Sequence, residues 1–394
     1  MHKSNKEIFF EHVAQTSPTP LGIEIERAEG IYLYGTDNKQ YIDLVSGVSV
    51  SNVGHCNQAV VSAIQNQVSK YMHLMVYGEM IQTPQVEYAQ LLTQHLPSTL
   101  DSVYFVNSGS EAIDGAIKLA KRATGRANIV AFEKAYHGGT HGALSLLGSE
   151  TLKSAFRPLL PGVTHLRFNQ LEDLNFIDTN TACVVVEPIQ AEAGIIMPHA
   201  GFLEAVRQRC SETGALLIFD EVQTGFGRTG SLFAFEQYNV VPDILVLAKA
   251  MGGGMPLGGF VASHQLMNQL TYNPMLGHIT TFGGHPVSCA AAVAALKFIL
   301  DETLFENARM RGEQFRHLLQ HEKIVAVRGR GLLLAVDIDG IFIPDFMHHA
   351  AQCGLIIDPF LFHDNAFRIA PPLIITEQEV EQTVNLIIHA LDTF

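Results

Sequence analysis

Two short apolar runs, each ending abruptly in ionisable residues, limit most strongly what this chain can fold into. Residues 215–219 are followed by Asp220 and Glu221, and residues 244–248 are followed by Lys249 and a run of glycines. A short apolar run bounded by turn signals predicts a buried strand, and such strands with helices between them predict a parallel sheet. Ligands bind such sheets at the carboxyl ends of the strands. We therefore expect Asp220 and Lys249 to line one crevice.

The surroundings of Lys249 indicate a reactive amine. The glycines that follow it would let a ligand approach closely, because they carry no side chain. A lysine in partly apolar surroundings also loses its proton more readily, which makes it a Schiff-base nucleophile. Residue type alone leaves a second interpretation open, in which Lys249 is a surface lysine in a loop.

The composition is that of a globular protein of two domains. The chain has 394 residues, of which 47% are apolar and 16% charged, and its net charge of −14 argues against a nucleic-acid surface. Its five cysteines are scattered without a CxxC pair, so neither a disulfide framework nor a zinc ribbon is indicated. The apolar runs are too short to span a membrane. We expect a soluble, cytoplasmic protein with no membrane partner and no metal.

A second ligand site is indicated where residues 103–106, a predicted strand, run into Ser108, Gly109 and Ser110. The helix predicted over residues 111–122 follows directly. Small residues at a helix start expose free backbone N–H groups at the positive end of the helix dipole, where phosphate binds. An ordinary helix N-cap has the same residues, so this pattern alone does not distinguish the two.

Several segments together resemble the class III pyridoxal-phosphate aminotransferases. Residues 219–230 read FDEVQTGFGRTG, and residues 242–254 read PDILVLAKAMGGG. Further matching segments are AYHGGT at 135–140, EPIQAEAG at 187–194, GHITTFGGHPVS at 277–288 and RIAPP at 368–372. The resemblance runs from about residue 22 to residue 372, which is nearly the whole chain.

The resemblance implies pyridoxal phosphate as cofactor and the fold type I of these enzymes. That fold has a mostly parallel central sheet flanked by helices, with a smaller α+β domain built from both chain ends. We expect residues 1–60 to form the N-terminal segment of the small domain, 61–288 the large cofactor-binding domain and 289–394 the C-terminal part of the small domain.

The resemblance also implies roles for individual residues. Lys249 would bind the cofactor covalently and move a proton during the reaction, and Asp220 would pair with the pyridine nitrogen. The other cofactor-binding residues that it implies are Ser108, Gly109, Ser110, Tyr136, His137, Glu187, Val222, Gln223 and, from the neighbouring subunit, Thr281. A homodimer with active sites shared across its interface follows from the role of Thr281.

Two further residues bear on the substrates. In the family, the arginine at the position of Arg368 binds the carboxylate of 2-oxoglutarate, and the glutamate at the position of Glu192 covers it when the amino donor binds. We therefore expect 2-oxoglutarate as acceptor, although an ordinary salt bridge would need the same two residues. Relatives often have an arginine for the donor's carboxylate where this chain has Gly139. The donor is thus either a different amine or bound through another arginine, for which Arg157 is a candidate.

The expected activity is transfer of the terminal amino group of an ornithine- or acetylornithine-like donor to 2-oxoglutarate by a ping-pong mechanism. The alternatives are an aminotransferase for a diamine or another ω-amine without a carboxylate at the usual arginine site, and an aminomutase or decarboxylase on the same fold. A non-catalytic relative that only binds ligands is disfavoured by the presence of Lys249 and Asp220 together.

Overall fold

The computed structural model of the protein describes residues 3–394. Residues 1 and 2 of the expected 1–60 segment lie outside the described part. Its strands are β1 (Ile25–Glu29), β2 (Tyr32–Gly35), β3 (Gln40–Asp43), β4 (Ser102–Val106), β5 (Asn128–Phe132), β6 (Val163–Leu166), β7 (Thr181–Val186), β8 (Leu216–Asp220), β9 (Ile244–Leu247), β10 (Gly258–Ala262), β11 (Ile324–Arg330), β12 (Leu333–Ile338), β13 (Leu355–Ile356) and β14 (Ala366–Ile369).

The helices surround these strands. They are α1 (Asn5–His12), α2 (Ser46–Ser49), α3 (Gln58–Val68), α4 (Thr83–Thr93), α5 (Gly109–Thr124), α6 (His141–Ser145), α7 (Glu150–Lys153), α8 (Phe202–Thr213), α9 (His264–Met267), α10 (Pro286–Asp301), α11 (Leu304–Leu318), α12 (Ile343–Gln352) and α13 (Glu377–Thr393). Short 3₁₀ helices lie at Ser154–Phe156, Leu171–Phe176, Ala234–Tyr238, Lys249–Gly252 and Asn268–Leu270. Among residues 3–394, no helix is long and apolar enough to cross a membrane.

A seven-stranded central sheet has the order β4-β10-β9-β8-β7-β5-β6. Every pairing within it is parallel except those of β10, which runs antiparallel to both of its neighbours. The carboxyl ends of the other six strands therefore lie at one edge of the sheet. This architecture confirms the mostly parallel central sheet of fold type I.

Alternation of side chains explains why this sheet is buried on both faces. In β8, Leu217 and Phe219 belong to one hydrophobic cluster and Ile218 to the other, and all three are fully buried. Successive strand residues point to opposite faces, so a continuous apolar run covers both. Helix α5 packs on β9 and β10, and its residues Ile113, Ala116, Ile117 and Ala120, spaced three and four apart, belong to the same hydrophobic cluster.

Two smaller sheets carry segments from the chain ends. Strands β1, β2 and β3 form an antiparallel meander, to which β13 adds in parallel beside β3. Strands β11, β12 and β14 form a second, antiparallel sheet. N-terminal and C-terminal strands thus share the first of these sheets. The division at residues 60 and 288 remains a prediction.

Candidate active site

The site is built at the edge of the central sheet where the parallel strands end. Asp220 is the last residue of β8, Glu187 follows β7, and Lys249 follows β9 after one intervening alanine. Tyr136 comes from the loop after β5, and Ser108 from the turn after β4. Because these strand ends are neighbours, residues far apart in sequence surround one cavity of about 420 Å³.

The lining of this cavity contains every predicted site residue except Arg368 and Thr281. It is formed by Val50, Asn107, Ser108, Gly109, Ser110, Tyr136, His137, Gly138, Gly139, Glu187, Glu192, Asp220, Val222, Gln223, Thr224, Ala248, Lys249, Gly254, Met255, Pro256 and Leu257. Asp220 and Lys249 therefore face the same cavity, as the two strand-end patterns predict.

The carboxylate of Asp220 is held by two hydrogen bonds. One oxygen accepts the backbone N–H of Val222 at 3.0 Å, and the other lies 2.7 Å from Nδ1 of His137. Burial opposes protonation of His137, but the hydrogen bond and charge of Asp220 outweigh it, with help from Glu187, so the pKa of His137 is raised. The structure thus places a fixed anion at the floor of the cavity.

Lys249 has an unusual backbone conformation and a perturbed amine. Its φ is +52°, in the left-handed region that side chains rarely adopt, and it begins a 3₁₀ helix. Burial lowers the pKa of its amine, since the charged form is poorly solvated there. Nζ donates to Oε1 of Gln223 at 3.2 Å. A lowered pKa favours the neutral amine, which is the form that acts as a nucleophile.

The turn before α5 forms a cradle of backbone N–H groups at the start of the helix. Ser108 is the helix N-cap and accepts the N–H of Glu111 at 3.2 Å, which leaves the amides of Gly109 and Ser110 in a first turn without intrahelical acceptors. A Cβ at position 109 would lie 2.9 Å from both methyl groups of Val222, so the backbone approaches that side chain closely.

The hydroxyl of Ser110 is fixed by Thr140, which the sequence patterns did not single out. Thr140 donates its backbone N–H to Oγ of Ser110 at 2.9 Å, and the two side-chain oxygens lie 2.7 Å apart. The intervening Gly138 has φ +132°, and a Cβ there would lie 2.4 Å from Oγ of Ser110. This loop therefore closes tightly over the cradle.

Glu187 lies beneath Tyr136 as a buried acid. One of its oxygens accepts the backbone N–H of Tyr136 at 3.3 Å and the other accepts the N–H of Ala191 at 3.2 Å. Burial raises the pKa of Glu187 to about 8, and the nearby charge of Asp220 adds to the effect. The carboxyl is therefore largely protonated at neutral pH. The side chain of Tyr136 is partly exposed to the cavity.

Arg368 is a buried guanidinium beside the cavity. Its Nη2 lies 2.8 Å from Oε1 of Glu192, and its Nε lies 3.4 Å from Oδ1 of Asp358. The guanidinium also lies over the ring of Phe360, 4.8 Å from its centre. The predicted contact between Glu192 and Arg368 is present, and Glu192 separates the arginine from the cavity. Asp358 belongs to no motif quoted above.

Two predicted residues lie away from this cavity. Thr281 is exposed on the surface of the protomer, which agrees with a role toward a neighbouring subunit without testing it. Arg157, the candidate for the donor's carboxylate, pairs instead with Glu150 at 2.7 Å, and its side chain is 54% exposed. Arg157 does not line the cavity within one protomer, and its role toward the donor stays a prediction.

Two charged residues that follow Asp220 in sequence are buried beside the site but do not line the cavity. Glu221, adjacent to Asp220, is buried and accepts the backbone N–H groups of Ala234 and Phe235 at 2.7 Å each. Arg228 is fully buried, and burial lowers its pKa to about 9. It donates to the carbonyl oxygens of Leu332 and Pro371 and to Oδ1 of Asn52.

The residues present fit pyridoxal phosphate. The N-terminus of α5 suits its phosphate, the Asp220 carboxylate suits a protonated ring nitrogen, and the Lys249 amine suits its aldehyde carbon. Among residues 3–394, the buried Nε2 atoms of His137 and Gln223 have no hydrogen-bond partner. Buried polar atoms without partners are rare in proteins and indicate room for a polar ligand here.

Comparison with known proteins gives a consistent result. Residues 13–391 match the family model of the class III aminotransferases. The acetylornithine aminotransferase of Methanopyrus kandleri is 40% identical over 368 residues, which cover 92% of each chain. The [LysW]-aminoadipate semialdehyde/glutamate semialdehyde transaminase of Sulfolobus acidocaldarius is 36% identical and matches 94% of this chain and 95% of its own.

Solved structures agree with the sequence comparisons. The acetylornithine aminotransferase of Elizabethkingia anophelis superposes with a TM-score of 0.86 at 33% identity, and the match covers 100% of both chains. The ornithine aminotransferase of Toxoplasma gondii superposes with a TM-score of 0.91 at 29% identity and covers 99% of this chain and 96% of its own.

Proposed function

The chain belongs to the class III aminotransferases, and from that premise we propose that it moves the terminal amino group of an ornithine- or acetylornithine-like donor to 2-oxoglutarate. It is a pyridoxal-phosphate-dependent aminotransferase. The observation that carries the proposal is the convergence of Lys249, Asp220 and the Glu192–Arg368 pair at one cavity. The names of the relatives, acetylornithine and ornithine aminotransferases, support the class of donor.

Lys249 is proposed as the group that moves the proton. Bound pyridoxal phosphate supplies an electron sink that lets a proton leave the carbon bearing the amino group. Nζ of Lys249 would hold the cofactor in the absence of substrate, and would be a free amine while substrate is bound in its place. Because burial lowers the pKa of this amine, Nζ is able to accept the proton from that carbon and to deliver it later.

Asp220 is proposed to hold the proton on the ring nitrogen of the cofactor. Its carboxylate is anchored by the N–H of Val222 and by His137, so it cannot rotate away. A fixed anion in a buried site stabilises a nearby positive charge far more than water would. His137 acts through Asp220 as a positioning residue.

The remaining cofactor-binding residues are proposed to orient pyridoxal phosphate in the cavity. Ser110, with its own amide and that of Gly109, would bind the phosphate, and Ser108 would cap the same helix. Tyr136 and Val222 would contact the ring, Gln223 would lie near the ring hydroxyl, and Glu187 would support Tyr136 from below. The lining positions and hydrogen bonds of these residues support the assignment.

Arg368 is proposed to bind the distal carboxylate of 2-oxoglutarate after Glu192 moves aside. A guanidinium binds a carboxylate through two parallel hydrogen bonds, which favours arginine over lysine at such a position. The Nη1 atom of Arg368 is buried without a hydrogen-bond partner among the described residues, so the guanidinium keeps capacity for another acceptor. With Glu192 in place, the same cavity accepts a donor that lacks this carboxylate.

The protein is further proposed to act as a homodimer in which Thr281 of one subunit completes the phosphate site of the other. The exposure of Thr281 and its neighbour Phe282, which is 53% exposed, supports an interface on this face. Met275, Leu276 and Ile279 of the same segment are exposed as well, and a contiguous exposed apolar patch is typical of an interaction surface.

A second candidate donor is a diamine or another ω-amine without a carboxylate. Among the described residues that line the cavity, Lys249 is the one lysine or arginine, whereas Glu187, Glu192 and Asp220 are acids. Gly139 contributes no side chain, and no atom lies within 4 Å of where its Cβ would be. These observations favour a donor whose far end is neutral or positively charged.

A donor screen tests the proposed function. The holoenzyme would be incubated with 2-oxoglutarate and, in turn, ornithine, acetylornithine, 4-aminobutyrate, lysine or a diamine, and glutamate would be measured. We expect glutamate with an ω-amine, and a borohydride-trapped pyridoxyl label on Lys249. An aminomutase or decarboxylase would instead consume the donor without forming glutamate, and a label on another lysine would contradict the assigned site.

A further inference from the structure

Arg368 faces two carboxylates in the structure. Its Nη2 lies 2.8 Å from Glu192 and its Nε lies 3.4 Å from Asp358, and its side chain is 1% exposed. The backbone N–H of Arg368 also donates to the carbonyl oxygen of Asp358 at 3.0 Å. Asp358 is therefore fixed beside the strand that carries the arginine.

The two carboxylates differ in what surrounds them. Glu192 lines the cavity, on the loop between β7 and α8. Asp358 lies behind the arginine, on the segment between β13 and β14, where Pro359 pairs with Phe367. Displacement of Glu192 by a ligand therefore leaves Asp358 in contact with the guanidinium.

A buried guanidinium without a carboxylate would be strongly destabilising, because the charge has lost its solvent. We propose that Asp358 is a positioning residue that keeps Arg368 neutralised and oriented when Glu192 withdraws, and that its charge opposes carboxylate binding to Arg368 once the charge of Glu192 is absent. This inference rests on the proposed function, in which Arg368 binds the acceptor.

The charges give this role a measurable signature. With Asp358 ionised, Glu192 and an acceptor carboxylate both meet its repulsion when they contact Arg368. The equilibrium in which the acceptor carboxylate replaces Glu192 on Arg368 therefore changes little when the charge of Asp358 is removed. When residue 192 is neutral, Asp358 repels only the acceptor carboxylate and no longer repels the side chain that the acceptor replaces. Removal of the Asp358 charge then tightens acceptor binding.

The state of Asp358 depends on four charged groups that face it. Burial raises its pKa to about 6; Arg368 and Lys249 oppose this effect, while Glu192 and Asp43 add to it. The folded pKa lies above the ordinary value of an aspartate, so the carboxylate is ionised above pH about 6 and loses its charge as the pH falls through that value.

A double-mutant cycle tests the proposal through binding, without turnover. The dissociation constant of glutarate, a dicarboxylate that cannot accept an amino group, would be measured by calorimetry on the holoenzyme and on Asp358→Asn, Glu192→Gln and the double variant. We expect Asp358→Asn alone to change the dissociation constant of glutarate less than about threefold. In the Glu192→Gln background, we expect Asp358→Asn to tighten glutarate binding about tenfold, as removal of a charge several ångströms away implies.

The pH dependence of Glu192→Gln gives a second measurement that leaves position 358 unchanged. With a short alkyl disulfonate, whose own charge is constant, we expect binding to tighten as the pH falls and Asp358 takes up a proton, below about 6 because the charge of Glu192 no longer raises the pKa of Asp358. The double variant, which has no titrating Asp358, should bind this probe equally on both sides of that pH.

Equal effects of Asp358→Asn in both backgrounds, or a flat pH profile of Glu192→Gln, would overturn the role of Asp358. An Arg368→Lys variant separates this failure from that of the proposed function. If that variant binds glutarate as the parent does, the acceptor site itself is wrong and the inference fails with it. If it binds glutarate weakly while the cycle is additive, the assignment of Asp358 alone is wrong.

Discussion

Oδ2 of Asp220 lies 2.7 Å from Nδ1 of His137, and both side chains are buried at the end of β8. The other oxygen of Asp220 is bound by the backbone of Val222. One carboxylate is thus oriented by a side chain and a main-chain group at once. Its negative charge raises the pKa of His137 despite burial, which shows how strongly the site favours positive charge at this point.

Replacement of Asp220 by Asn should remove this charge and preserve the shape of the site. We expect kcat to fall by on the order of 10²–10³, because a neutral partner no longer stabilises a protonated ring nitrogen. The Asn oxygen can still accept the N–H of Val222, so folding should be retained. Single-turnover kinetics of the cofactor's absorbance change would measure the effect, and a loss below tenfold would contradict the role.

Replacement of Glu187 by Gln should alter stability in a pH-dependent way. The pKa of Glu187 is raised to about 8 from 4.5, so the folded protein retains a proton that the unfolded chain releases. Wild-type stability therefore declines as the pH rises from about 4.5 to about 8. We expect the free energy of unfolding of Glu187→Gln, relative to that of the wild type, to increase by more than about 1 kcal/mol across that range. Urea unfolding at several pH values measures it, and a constant difference would contradict the prediction.

Replacement of Arg368 by Lys should impair acceptor binding selectively. The two parallel hydrogen bonds of a guanidinium are lost, and we expect the KM for 2-oxoglutarate to rise at least about tenfold while the donor half-reaction changes little. Arg157→Lys is the matched control, since that residue is exposed and pairs with Glu150. An equal KM in both variants would remove Arg368 from the acceptor site.

Replacement of Gly139 by Arg should supply a cation for the donor's carboxylate. No atom lies within 4 Å of a Cβ at this position, so the side chain has room. We expect the KM for ornithine and acetylornithine to fall, by about tenfold if a charge-assisted pair forms, and the KM for a diamine to rise. Gly138→Ala, which would place a Cβ 2.4 Å from Oγ of Ser110, should instead weaken cofactor binding. Unchanged donor preference in Gly139→Arg would show that this position does not face the donor.

Mixed dimers would test the contribution of Thr281. Thr281→Ala should weaken cofactor binding in the homodimer, and Lys249→Ala should abolish covalent attachment. A mixed dimer of these two variants contains one site with both changes and one site with neither, if the phosphate site is shared. We expect tight cofactor binding to return at that second site, as measured by fluorescence titration. Failure to restore it would contradict sharing of the site.

The parts of the fold that sequence predicts are those with local causes. Apolar runs such as residues 215–219 predict strands because parallel strands are buried on both faces, and β8 is observed at Leu216–Asp220. Local conformation also limits strand bounds: β12 begins at Leu333 because Gly331, with φ +57°, lies in the turn that follows the end of β11. Strand β10, which inserts antiparallel between β4 and β9, was not predicted, since pairing between distant segments leaves no periodic trace.

In the site, too, sequence predicts what has a local cause and misses what depends on contacts between distant segments. Asp220 and Lys249 were predicted to meet because both follow strands of one sheet, and the cavity brings them together. Thr140 and Asp358 were missed because their roles arise from contacts with Ser110 and Arg368, which are distant in sequence. No spacing rule signals such contacts. The position of Thr140 within the AYHGGT segment is the one clue that sequence offered.

The contacts of Arg228 have a consequence for the thermal unfolding of the protein. One guanidinium joins the turn after Asp220 to Asn52 near the N-terminus and to Pro371 in the C-terminal segment. The same proline follows Arg368 by three residues, so the strand that carries Arg368 and the loop after Asp220 share an anchor. On heating, the C-terminal lobe should therefore not melt ahead of the cofactor site, and release of the coenzyme and loss of tertiary structure should coincide in a single transition.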